Sequence, residues 1–187
     1  MANSRIKTRS IRFKVILLGD GAVGKTTLKK IYLGKGFQDK YKSTLGADLT
    51  IKKLDINNKS IKCDIWDLAG QPRFSKVRNL YYTGSSGAIL VYDITQPNSL
   101  ENLNMWISEF DKYNTIKGVP LLIVGNKIDL REMVEQSISP NQGLKFVERL
   151  ENQFGPERFI LFLETSAKMN INVNKVFEKL IEAMLRT

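Results

Sequence analysis

Histidine is absent from this chain, cysteine occurs once (Cys63), and no apolar run approaches membrane-spanning length. Without imidazole there is no Ser-His-Asp or Cys-His catalysis and no His-containing zinc site. One thiol cannot close an internal disulfide, and such sparing cysteine usage fits a reducing cytosol. A membrane helix needs roughly 20 consecutive apolar residues, whereas runs such as those at 15–18 and 121–124 have only strand length. The N-terminus is charged but has no apolar stretch of the signal-peptide kind.

Acids are the minority charge. There are 29 Lys/Arg against 19 Asp/Glu in 187 residues, a net charge of +10. The excess is local: residues 1–42 hold 11 Lys/Arg and two acids, Asp20 and Asp39, while residues 43–187 hold 18 and 17. Arg5, Lys7, Arg9, Arg12 and Lys14 crowd the first fourteen residues with no acid among them. A basic balance invites nucleic acid or an anionic membrane. Aromatic-basic interleaving, repeats and recognisable nucleic-acid modules are all missing, so a nucleic-acid partner is not expected. We read a solvated basic arm over 1–11, capable of weak contact with an anionic membrane, followed by one domain over 12–187.

Within that domain, apolar runs alternate with helical patterns. The runs at 13–18, 87–92 and 119–124 are continuous, as buried parallel strands require. Leu49, Ile51, Leu54 and Ile56 read as a strand; Ile61, Cys63 and Ile65 alternate on its hairpin partner across a turn at Asn57-Asn58. Helices are expected at 25–34, 98–114, 141–152 and 172–186, and a strand at 159–163. Leu100, Leu103, Trp106, Ile107 and Phe110 mark the buried face of the second helix. Val173, Val176, Phe177, Leu180, Ile181 and Met184 form a stripe on the last, read as core packing rather than a membrane face. Such alternation implies right-handed crossovers and a mostly parallel α/β sheet covered on both faces. Ligands then bind beyond the carboxyl ends of the strands.

Gly19-Asp-Gly-Ala-Val-Gly-Lys-Thr26 matches G-x-x-x-x-G-K-[ST], ends a predicted strand and opens a predicted helix, which is the context the motif requires. Gly21 and Gly24 leave room for backbone N–H groups to curl around a β-phosphate. The helix N-terminus adds partial positive charge. Lys25 can neutralise β and γ oxygens, and the Thr26 hydroxyl can ligate Mg²⁺. This segment implies a nucleoside triphosphate without specifying its base.

Three more segments follow strand ends: Trp66-Asp-Leu-Ala-Gly-Gln71, Asn126-Lys-Ile-Asp129 and Glu164-Thr-Ser-Ala-Lys168. Together with the phosphate loop, in this order and over residues 12–186, the chain resembles the small GTPases of Ras, Rho and Rab type. The phosphate loop is most similar to Rho. Tyr41-Lys-Ser-Thr-Leu-Gly46, the run Tyr81 to Thr95 and the 164–168 segment are most similar to Rab.

The resemblance implies a P-loop NTPase G domain: six strands, mostly parallel with one antiparallel edge strand, and about five flanking helices. It implies a GTP/GDP-binding, Mg²⁺-dependent switch that hydrolyses GTP slowly without a helper, in membrane traffic or signalling. Partners would be an exchange factor, a GTPase-activating protein and effectors. The expected state is a cytoplasmic monomer, peripheral to membranes at most. Guanine offers donors at N1 and N2, which one carboxylate accepts as a charge-assisted pair; the resemblance gives that role to Asp129. Asn126 would brace the pocket, the Lys127 stem and Phe37 would cover the two faces of the base, and the Ala167 amide would meet O6, flanked by Ser166 and Lys168. The phosphates would fall to Gly21, Ala22, Val23, Gly24, Lys25, Thr26 and Thr27, with Tyr41 across them. Thr26, Thr44 and Asp67 would hold Mg²⁺, Asp67 through water. The Gly70 amide would sense the γ-phosphate and Gln71, the catalytic residue beside Lys25, would orient the attacking water.

Departures from the family pattern are expected to matter. Pro72 stands where Rab and Ras types usually carry Glu. It biases Gln71 away from αR and removes a backbone donor, so slower or differently assisted hydrolysis is expected. In the extreme the protein would be a nucleotide-binding scaffold with little hydrolysis; a basic nucleic-acid binder is the more distant alternative. Arg73 reads as a surface cation rather than an internal arginine finger. The stretch from Asp129 to Ser166 is long for a Rab and reads as a longer helix and loop. No cysteine is available for prenylation near Thr187, and Ala2 replaces the glycine that N-myristoylation needs. Either a tail continues beyond Thr187 or membranes are reached without lipid.

Overall fold

Six strands form one sheet: β1 (Ile11–Leu18), β2 (Ala47–Ile56), β3 (Lys59–Leu68), β4 (Gly87–Asp93), β5 (Leu121–Asn126) and β6 (Ile160–Thr165). The computed structural model describes residues 10–37, 44–56, 59–71 and 74–187. Across the sheet the order is β2-β3-β1-β4-β5-β6. β2 runs antiparallel to β3, from Ala47 opposite Leu68 to Ile56 opposite Lys59, and every other pair is parallel. This is the expected sheet with its single antiparallel edge strand. The turn at Asn57-Asn58 lies outside the described residues.

β4 and β5 are buried at every position because helices cover both faces, which is why their sequences read as unbroken apolar runs. The two-residue period of β1 divides its side chains. Val15 and Leu17 pack with Leu28 and Tyr32 of α1 (Lys25–Tyr32) and with the Val173, Val176, Phe177, Leu180 stripe of α6 (Val173–Met184). Ile16 and Leu18 pack with α2 (Ser75–Tyr82), α3 (Pro97–Glu101), α4 (Leu103–Tyr113) and α5 (Pro140–Phe154), through Tyr82, Leu100, Trp106, Phe110 and Phe146. The α6 stripe is therefore core, and its Phe177 stacks on Tyr32 at 3.8 Å between ring centres. Burial of each such side chain contributes about 1.5–3 kcal/mol. Among the described residues no helix is long and apolar enough to cross a membrane.

Two differences from the expected elements have local causes. The single helix predicted over 98–114 is two, α3 and α4, so six α-helices rather than about five flank the sheet in the described residues. They join at Asn102, whose carbonyl accepts from both Met105 (3.0 Å) and Trp106 (3.3 Å), a tightened turn. The Asn102 side chain points away to Asp20, 82 positions earlier, with an Nδ2–Oδ2 distance of 2.7 Å. The long 130–160 stretch contains α5, which begins on a capping box: Ser139 accepts from the Gln142 amide, the Gln142 side chain accepts from the Ser139 amide, and Pro140 occupies the first turn.

The charge of the N-terminal quarter also resolves. Residues 1–9 lie outside the described residues, but Arg12 is already inside β1 and meets buried Asp64 at 2.5 Å. Lys14 donates to the Thr83 carbonyl at 2.8 Å and lies 5.4 Å from the Trp66 ring centre. These two cations of the basic cluster in the first fourteen residues are therefore attached to the sheet.

Candidate nucleotide and metal site

All four motifs lie at the carboxyl ends of the strands. Gly19 leaves β1 at φ +129°, and a Cβ there would sit 2.1 Å from the Val91 carbonyl oxygen of β4. Only glycine lets the loop turn so close to the neighbouring strand. Ala22 takes a left-handed φ of +63° and Gly24 one of +105°, turning the loop before α1 starts at Lys25. Gly21 and Ala22 are exposed, Val23 is buried, and Thr26 and Thr27 are half-buried in the first turn. Lys25 is buried, and its Nζ donates to the carbonyls of Gly19 and Asp20, each at 2.7 Å. Burial pulls its pKa down to about 8, against the raising influence of Asp67 and Asp20, with Arg78 lowering it further. It therefore remains mostly cationic at neutral pH, and a phosphate beside it would favour that form.

Below Lys25 lies a chain of hard oxygen donors. The Thr26 hydroxyl donates to Asp67 Oδ2 at 2.6 Å and lies 2.9 Å from the Thr44 hydroxyl. With its proton given to Asp67, Thr26 accepts the proton of Thr44. Asp67 is fully buried at the end of β3, and its Oδ1 has no partner among the described residues. Burial raises its pKa, opposed by the Thr26 hydrogen bond and by Lys29. Lys29 Nζ stands 4.0 Å from Asp67 and 2.6 Å from Asp48. Two hydroxyls and a carboxylate with a spare buried oxygen fit Mg²⁺, which takes few protein oxygens and completes its shell with phosphates and water. No cluster of three or more His, Cys, Asp or Glu that could hold a metal ion occurs among the described residues.

Gly70 joins this end of the site to the next segment. A Cβ on it would lie 2.4–2.6 Å from the backbone of Gly19 and Asp20, so residues 69–71 press directly on the phosphate loop. Gln71 is half-buried, and a Cβ on Gly21 would come within 3.9 Å of its Cγ. Pro72, Arg73 and Tyr41 lie outside the described residues.

At the other end, Asn126 closes a network. Its Nδ2 donates to the Val23 carbonyl at 2.9 Å, and its Oδ1 accepts from the Thr165 hydroxyl and the Ala167 amide, both at 3.0 Å. One buried amide thus ties the phosphate loop to the loop after β6. The Ala167 N–H, expected to be free for a base, is engaged by Asn126 here. A Cβ on Gly24 would strike Asn126 Nδ2 at 2.2 Å, so that glycine is needed for the brace as well as for its φ. Lys127 has a left-handed φ of +70° and its ammonium pairs with buried Asp93 at 2.5 Å. Asp129 stands in a 3-10 helix (Ile128–Met133). Its Oδ1 accepts from the Ser166 hydroxyl at 2.5 Å, leaving further carboxylate lone pairs for a ligand. Lys168 and Phe37 are exposed, and an exposed ring can cover a base.

The sequence reading missed Asp93, Asp20, Lys29 and Arg78. Asp93 lay within the Rab-like run, immediately after a buried strand, and an acid at that edge was the available signal. The others contact partners that no local pattern reveals.

The Ras family profile matches residues 14–186. The chain is 38% identical to mouse Ras-related protein Rab-12 over 175 residues, covering 94% of this chain and 68% of that protein. It is 37% identical to Rab-10 of Diplobatis ommata over 180 residues, 96% and 84% of the two chains. It is 38% identical to the GTP-binding protein ypt1 of Schizosaccharomyces pombe over 167 residues, 88% and 76%.

Proposed function

The chain belongs to the Ras family as a Rab-like small GTPase, and from that premise we propose how its residues bind GTP, hold Mg²⁺ and hydrolyse the nucleotide in a switch serving membrane traffic. GTP and GDP are its ligands, and regulators and effectors act on it as on the family in general. One observation supports the assignment: Asn126 bonds simultaneously to the phosphate loop and to the 165–167 loop, which holds the phosphate and guanine segments side by side for one nucleotide.

In that cleft the amides of Gly21 to Thr27 face the phosphates at the start of α1, where the helix dipole favours an anion. Lys25 exchanges its carbonyl partners for phosphate oxygens and stays charged. Thr26 and Thr44 supply hydroxyl oxygens to Mg²⁺, and Asp67 supports it with its unpartnered Oδ1. Held by these residues, Mg²⁺ would supply positive charge against the negative charge that grows during phosphoryl transfer. The Gly70 amide stands next to the phosphate loop where a γ-phosphate reports to the 69–71 segment, and Gln71 orients water. No residue here is a strong base, so the chain contributes positioning and electrostatics. Thr44 and Gly70 both depend on the γ-phosphate side of the cleft, which makes their segments the switch elements.

For the base, Asp129 accepts from N1 and N2, the Lys127 stem covers one face with its ammonium held by Asp93, and Phe37 covers the other. Adenine would leave Asp129 without those donors, at a cost of about 1–3 kcal/mol. Protein loaded with GTP should release phosphate in a single turnover and retain GDP. No phosphate over many hours would reduce the protein to a nucleotide-holding scaffold.

A further inference from the structure

Arg78 is the most completely engaged buried cation in the described structure. Its side chain is 4% exposed. Nη1 donates to the carbonyls of Ala69 at 3.2 Å and Gln71 at 2.9 Å. Nε and Nη2 fork onto the two oxygens of Glu109 on α4, at 3.3 and 3.1 Å, and Tyr82 donates to the same carboxylate at 2.9 Å. The guanidinium carbon lies 4.4 Å from the centre of the Trp106 ring. Trp106 in turn donates its indole N–H to Asp20 Oδ1 at 2.8 Å, beside the 2.7 Å bond from Asn102. Residues 69–71 are thus gripped from two directions. Gly70 rests on the backbone of Gly19 and Asp20, and the carbonyls on either side of it are held by a guanidinium fixed to α4. The same helix holds the side chain of Asp20.

We propose that Arg78 is a positioning residue for GTP hydrolysis, anchoring the backbone of Gln71 to α4 while Trp106 and Asn102 anchor the phosphate loop to the same helix. The inference rests on the reading of Gln71 as the residue that orients water. Arg78 touches no nucleotide; it acts by fixing where Gln71 begins relative to the phosphates. A planar fork is needed, because a single ammonium cannot reach two carbonyls and a carboxylate in those directions. Displacement of a reacting group by an ångström can cost about a hundredfold in rate. Nucleotide affinity depends on the phosphate loop and the Asn126 brace, neither of which Arg78 contacts.

The test combines Arg78→Lys, Glu109→Gln, Gln71→Ala and the Arg78→Lys/Gln71→Ala double variant. Each is measured for single-turnover hydrolysis of preloaded GTP, for GDP dissociation rate and for melting temperature. Arg78→Lys should slow hydrolysis at least about tenfold while changing GDP dissociation less than about twofold. Glu109→Gln should slow it less, and the double variant should be no slower than Gln71→Ala alone, since both changes remove one function. Full hydrolysis in Arg78→Lys with Gln71→Ala impaired would overturn the proposal and leave the Gln71 reading intact. Full hydrolysis in Gln71→Ala would overturn that reading itself. Equal losses in melting temperature, GDP retention and hydrolysis would make Arg78 a structural residue only. Should Arg78→Lys fail to fold, Glu109→Gln decides by the same criteria.

Discussion

The two ends of the cleft are built on opposite plans. At the base end, Asn126 has three bonds of 2.9–3.0 Å to two separate segments, the phosphate loop and residues 165–167, and Lys127 is pinned to Asp93. At the phosphate end, Asp67 Oδ1 is buried without a partner among the described residues, and Lys25 is bonded only to nearby carbonyls of its own loop. On the proposed reading, the base end, braced by Asn126 and Lys127, would recognise through a fixed shape. The phosphate end keeps buried polar capacity, which is costly unless a ligand completes it. Recognition of guanine and response to the γ-phosphate can therefore be separated in one small domain.

Substitutions at the two ends should fail differently. Lys25→Ala removes the cation from the phosphate end. Two charge-assisted bonds at about 1.5–3 kcal/mol each predict loss of at least about a hundredfold in GDP affinity by calorimetry. The nucleotide-free protein should keep its stability to within about 1 kcal/mol, because a desolvated charge disappears with its bonds. Asn126→Ala leaves the Val23 carbonyl, the Thr165 hydroxyl and the Ala167 amide without their partner. It should therefore lower denaturant stability by about 2–4 kcal/mol and weaken GDP as well. Loss of binding without loss of stability in Asn126→Ala would erase the contrast between the ends.

Metal dependence sharpens it further. Asp67→Asn should weaken Mg²⁺ about 10–100-fold, the usual range for a supporting carboxylate. Chelation should speed GDP release from the parent protein and change little in this variant. If chelation acts equally on both, the spare Oδ1 has no part in holding the metal. Burial alone gives the smallest expectation: Cys63, fully buried with its pKa pushed up to about 12, should resist thiol alkylation in the folded protein and react on unfolding.

Legibility in the sequence followed the range of the contacts. The phosphate loop was readable because strand, glycines, Lys25 and helix start are contiguous, and the β4 and β5 runs because burial on both faces removes polar residues. Asn126 and Asp129 were readable as a motif, but the bond from Asn126 to Val23 joins residues 103 positions apart. Asp20 is held by Trp106, 86 positions later, a contact that no local pattern shows. Asn102, where helical periodicity alone predicts continuity and the helix breaks, donates to the same carboxylate. Arg78 gave no signal, since its partners are backbone carbonyls and an acid on another helix. Part of the positive charge that first suggested an outside partner belongs to ion pairs within the domain, each with a buried member: Arg12 with Asp64, Lys29 with Asp48 and Arg78 with Glu109.

The most direct test is displacement of a fluorescent GDP from the parent protein and from Asp129→Asn by GDP, ADP and xanthosine diphosphate in Mg²⁺. In the parent, GDP should compete at concentrations at least about tenfold below ADP, as the loss of paired donors to one half-buried carboxylate implies. In Asp129→Asn the order should invert, with xanthosine diphosphate overtaking GDP. Equal competition by ADP in the parent, or an unchanged order in the variant, would contradict a guanine-reading pocket at Asp129.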